Sequence, residues 1–248
     1  FPSNKLELGL WMESERMLHP VIDEVGVETQ NEVVKEEKRQ SYDRPYGKIF
    51  KVLGENLFSV HPYKDENIGR MEDLDAATLD DFYSYFEKYY GPNNAVLVVA
   101  GDINIEETKA LVKKYFSEVK SKPELVRSFP QEKPITELSR VKTYDANIQV
   151  PAILAAYRTP GYTERDAYVL DMISAYLSGG KSSVLYKKLV DRQKQALEVA
   201  AINISQKDYS MFTFLALPLG DVSLDILLEE MDEEIALVQS DLISERDY

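Results

Sequence analysis

The stretch "NNAVLVVAGDINIEETKALVKKYFSEV", residues 93–119, decides the fold class. Its apolar run at 95–100 has no polar alternation and stops at Gly101, the pattern of a buried strand. "NIEETKALVKKYFSEV", residues 104–119, then reads as the next helix. A strand that leaves through Gly-Asp into a helix marks an α/β or α+β chain.

On the N-terminal side, helical spacing predicts helices over "NKLELGLWMESERM", over about 23–42, and over "YGKIFKVLGENLF". "SVHPYKDENIG" reads as a loop. "LDAATLDDFYSYFEKYY" reads as an amphipathic helix with an Asp or Thr cap. On the C-terminal side, "KSKPELVRSFPQEKP" carries three prolines and little periodicity, and is the predicted linker. Strands are expected in "RVKTYDANIQV" and "AILAAYRTP", and at 198–204 and 211–217. Helices are expected at about 164–177, 182–191 and from 222. The last residues, "DLISERDY", read as the start of another helix. The first half thus opens on helices and closes on strand and helix, whereas the second opens on strands. The expectation is a chain incomplete at both ends.

The 248 residues are 44% hydrophobic and 29% charged, the balance of a globular protein. A net charge of −14 argues against nucleic acid or an anionic membrane surface as partner, since both need a basic footprint. With no cysteine, disulfides, thiol catalysis and thiolate zinc sites are excluded. No run is long enough to span a membrane, and the first residues lack the pattern of a signal peptide.

One carboxylate stands out. In "TQNEVVKEEKRQSYDRP", residues 29–45, Val33 and Val34 define an apolar direction on a helix. Gln30, Glu37 and Ser41 fall within about 30° of it, while Glu36 lies about 110° away. Glu37 is expected to face inward, where an unpaired carboxylate is costly. It is either the ion-pair partner of a neighbouring Lys or Arg, or a metal ligand or catalytic carboxylate.

Segment 30–37, "QNEVVKEE", resembles the E-R-x-V-V-x-E-E segment of the pitrilysin/insulinase zinc metallopeptidases, the inverzincins. "PSNKLELGLWMESERM", "DRPYG", "HPYKDENIG", "DLDAATLDDFYSYFEKYYGPNNAVLVVAGDI" and "GGKSSVLYKKL" are similar to further family segments and fall in the family's order. The resemblance implies an α+β fold of two related half-barrel-like domains, both incomplete. The later part of a zinc-bearing domain would occupy 1–119, the linker 120–135, and the earlier part of an inactive structural domain 136–248. It implies that the parent protein is a zinc endopeptidase acting on peptides in a closed chamber, with Glu37 as third zinc ligand. The alternative is a non-catalytic structural or partner subunit of the same family.

The sequence departs from the family pattern in three places. The H-x-x-E-H signature, which supplies two His ligands and the general base, is absent; the only histidines are His19 and His61. Those ligands are expected upstream of Phe1, and no zinc is expected on these residues alone. Gln30 replaces a carboxylate and retains a hydrogen-bonding role beside the ligand. Finally, "LYKKLVDRQKQALEVAA" has Val190 where the family's substrate-gripping Arg would stand, and Leu197 or Glu198 in place of its Tyr. Arg192 is out of register. A second family subunit, or a later segment, is expected to supply them. "SGGKSS", 178–183, lacks the spacing of a phosphate-binding loop.

Overall fold

Alternate faces of one central strand explain most of the packing. The structure, a computed structural model, describes residues 1–245. Helices α1 (Leu6–Leu18), α2 (Glu24–Asp43), α3 (Ile49–Leu57), α4 (Met71–Ala76), α5 (Leu79–Tyr89) and α6 (Ile105–Phe116) precede β1 (Ile153–Pro160). Then follow α7 (Arg165–Ser178), a π-helical stretch (Tyr186–Arg192), β2 (Ala196–Ile204), β3 (Tyr209–Pro218) and α8 (Leu224–Ser240). These elements divide into two compact units. One comprises Phe1–Ser41 and Glu66–Pro130; the other comprises Tyr42–Asp65 and the chain from Gln131 onward.

The second unit holds an antiparallel sheet in the order β1-β3-β2. Successive side chains of a strand point to opposite faces. On β3, Phe212, Phe214 and Ala216 turn to one side and pack with Leu177, Leu185, Leu189, Leu227 and Met231. Met211 turns to the other and meets Leu53, Leu57 and Phe58. The 42–65 excursion therefore covers the sheet's second face through α3. Polar ties secure it: Tyr46 donates to the Val150 carbonyl (2.6 Å), and Lys48 pairs with Asp145 (3.1 Å).

The first unit is helical among the described residues. Thr78 and Asp81 form a reciprocal capping box at the start of α5. Asn104 accepts from the Glu106 and Glu107 amides at the start of α6. Glu7 of α1 receives Lys114 and the Tyr115 hydroxyl of α6, both at 2.8 Å.

Two strand expectations are corrected. Residues 95–100 form no ladder among the described residues, and Val96 and Val98 are 89% and 77% exposed. An apolar run becomes a strand only where another strand satisfies its N–H and C=O groups, and none lies beside it among the described residues. Residues 140–150 are irregular because Asp145 makes a turn. Its carboxylate accepts from the Asn147 amide (3.0 Å) and its carbonyl from Ile148 (3.1 Å). The Asn147 amide and Lys48 hold the Asp145 carboxyl below its usual range. The short helix α4 has no counterpart in the sequence reading. The expected helix at 182–191 is largely π-helical. No helix begins within 241–245, and the rest of that terminal expectation lies outside the described residues.

Candidate functional site

Helix α2 presents Glu37, but on a face other than the one projected. The packed stripe runs through Val27, Asn31, Val34, Lys35, Lys38 and Tyr42, with Lys35 and Lys38 buried. It is centred about 100° around the helix from the Val33/Val34 direction. Glu36 and Glu37 are both exposed, as is Gln30, and Val33 is 54% exposed. The inward placement of Glu37 is thus corrected. Two adjacent valines are a weak guide when the docking face is polar.

That face is satisfied by hydrogen bonds to one short segment. Asn31 Nδ2 donates to the Leu74 carbonyl (2.5 Å). Lys35 Nζ pairs with Asp75 (2.5 Å) and with Glu32 (2.9 Å). Lys38 Nζ pairs with Glu66 (3.2 Å) and donates to the Gly69 carbonyl. Gly69 has φ +82°, a left-handed conformation suited to glycine. Hydrogen bonds from Asp75 and Glu32 raise the Lys35 pKa and keep it charged. Lysine stems bury readily when their ammonium is paired. Glu37, on the open side, has no hydrogen-bond or ion-pair partner among the described residues.

The histidines are committed elsewhere. His19 bonds Glu15 one turn back on α1 (2.8 Å). His61 is 1% exposed, accepts at Nδ1 from the Tyr63 amide and approaches Asp208 through Nε2, both at 3.3 Å. It packs edge-on against Tyr63 and Tyr209. Among the described residues no group of three or more His, Asp or Glu side chains is placed to hold a metal.

A buried polar knot beside His61 escaped the sequence reading. Glu132 Oε1 accepts from the amides of Ser59, Val60 and His61 at 2.7–2.8 Å. Its Oε2 lies 3.3 Å from Arg158, which also donates to the Leu57 carbonyl and to Lys133. Burial opposes the Glu132 charge, but the three amides and Arg158 outweigh it and hold the carboxyl below its ordinary 4.5. No local signal could have found this knot, because an isolated Glu in a Pro-rich stretch meets partners far away in sequence.

The remaining candidates are structural. Gly179 caps α7 where a Cβ would lie 2.3 Å from the Ala175 carbonyl, and Gly180 has φ +105°. Ser178 Oγ bonds both the amide and the carbonyl of Ala201. Val190 is half-buried against the core around Leu189, whereas Arg192, Leu197 and Glu198 are exposed. Lys188 in the π-helical stretch joins Glu230, Glu233 and Glu234 of α8 at 2.8–3.1 Å.

A family model described as the peptidase M16 inactive domain matches residues 76–248. The zinc protease PqqE of Helicobacter pylori is 31% identical over 205 residues, 82% of this chain and 46% of that protein. A crystal structure of a protease from Helicobacter pylori superposes with a TM-score of 0.87 at 24% identity, over 100% of this chain and 60% of that one. A peptidase M16 inactive domain from Pseudomonas fluorescens gives 0.83 at 14% identity, over 98% and 58%. The chain spans about half the length of the curated relatives it matches.

Proposed function

Because this chain belongs to the M16 peptidases, the pitrilysin/insulinase family, we propose that it forms part of a zinc-dependent endopeptidase. In this reading the first unit contributes Glu37 to the zinc centre and the second unit is the non-catalytic structural domain. The observation that carries it is the state of Glu37: exposed, unpartnered, and held on a 20-residue helix whose opposite face is fastened. A carboxylate engaged in an ion pair would first have to surrender its partner; Glu37 has none to surrender.

The donor set of these residues suits one ligand, not a whole site. A tetrahedral zinc needs three protein ligands beside its open position, and His19 and His61 are occupied. The other ligands therefore belong outside these 248 residues. When bound, zinc supplies a Lewis acid for the scissile carbonyl and an activated water. Gln30 shares the open side of α2 with Glu37, two turns away along the helix, where its amide can donate or accept a hydrogen bond but cannot act as an acid.

The substrate class follows from the family: a peptide enclosed between two halves. Val190 and Leu197 cannot grip a peptide backbone as an Arg and a Tyr would, so positioning falls to a partner subunit or another segment. The test is zinc content and peptide cleavage in the protein that carries this chain with its two His ligands. Glu37→Gln should remove most of the zinc and the activity, and wild-type activity should require the family partner. Undiminished zinc in Glu37→Gln would overturn the ligand assignment. Full activity with neither a partner subunit nor a further segment present would overturn the shared grip.

A further inference from the structure

We propose that Asn31, Lys35 and Lys38 are positioning residues for Glu37: a polar seam that sets the rotation of α2 about its axis. The proposal rests on the reading of Glu37 as a ligand and goes beyond it by naming what aims the ligand. The three residues stand at i, i+4 and i+7, one line along the helix. Asn31 reaches Leu74, Lys35 reaches Asp75, and Lys38 reaches Glu66 and Gly69, so the seam meets one short segment, 66–75. Apolar contacts tolerate sliding, whereas hydrogen bonds are directional. A twist of about 20° displaces a side-chain tip about 7 Å from the axis by about 2.5 Å, enough to break bonds of this kind.

Glu37 leaves the helix about 125° from the seam, so any such twist re-aims its carboxylate by the same angle. Nothing on its own side opposes that twist among the described residues: Val33 is largely exposed, and Gln30 and Glu37 make no bonds. The orientation of the ligand is thus fixed from behind, by ammonium groups that never touch the metal.

The test uses Co²⁺ as a spectroscopic substitute for zinc, in the protein that carries this chain with its His ligands. Lys→Met keeps each buried stem and removes the ammonium. Lys35→Met/Lys38→Met should weaken Co²⁺ binding about tenfold to a hundredfold, as loss of supporting shells does, and should change the visible ligand-field bands. Lys38→Arg should restore both in part. Lys109→Met, which removes an exposed pair with Glu106 on α6, should change neither. Glu37→Gln is the reference. If it leaves affinity and spectrum intact, Glu37 is no ligand, and the proposal falls with that reading. If Glu37→Gln alters them while the double Met variant matches wild type, the ligand reading stands and the seam is overturned. Should the double variant misfold, Lys38→Gln alone, checked by amide exchange across α2, decides the same question.

Discussion

The two units bury their residues by opposite means. In the second, a central strand is covered on both faces by Leu, Phe, Met and Ala, and Leu177, Leu185, Leu189, Leu227 and Met231 are almost fully enclosed. In the first, Leu10 is the one buried hydrophobic residue among those described, and Ser14, Lys35, Lys38 and Thr108 are the other buried side chains. One unit is stabilised mainly by removal of apolar area from water. The other is located by charged and amide hydrogen bonds, which add little net stability but fix direction. A core resists unfolding; a polar seam sets an angle, and the candidate ligand sits in the unit that has the seam.

The largest effect that would break this contrast is a core truncation. Leu189→Ala should cost about 3 kcal/mol through a buried cavity, read by urea denaturation followed by circular dichroism. Leu10→Ala should cost less; equal costs would remove the contrast. Next comes the knot at Glu132. Glu132→Gln should cost about 2 kcal/mol at neutral pH, because three amides and Arg158 lose their charged acceptor. The folded pKa of Glu132 is depressed. Its contribution is therefore fully present above about pH 4.5 and is lost as pH falls through the folded value. Wild type should lose stability more steeply than Glu132→Gln below pH 4.5, and parallel acid limbs would contradict the assignment. The smallest effect is Thr78→Ala at the α5 capping box, about 1 kcal/mol. A null result there would mean that the cap adds nothing beyond the packing of α5.

Helices with their own signals were legible. Thr78 announces α5, and the run of residues between turn signals announces α1, α2, α6 and α8; the Asn104 cap of α6 emerges only in the structure. The sheet strands at Ile153–Pro160, Ala196–Ile204 and Tyr209–Pro218 were legible too, because each is apolar and bounded by turn residues. Residues 95–100 have the same signature but no neighbouring strand among those described, and composition cannot supply a partner. Pairing across long separations was equally hidden: nothing local in 42–65 says that α3 will cover the second face of β3. At the candidate site, Glu37 was singled out by a projection whose inward direction was wrong and by a family resemblance. Sequence shows the charge of the lysines that fasten its helix, but not the carboxylates and carbonyl waiting at 66–75.

The most direct measurement is the zinc stoichiometry of the purified 248-residue chain after equilibration with zinc and desalting, for wild type and Glu37→Gln. If Glu37 is a lone ligand awaiting others, both should retain far less than one zinc per chain. One tightly held zinc in wild type, lost in Glu37→Gln and in a His19 or His61 variant, would contradict this, since the chain would then complete a metal site by itself.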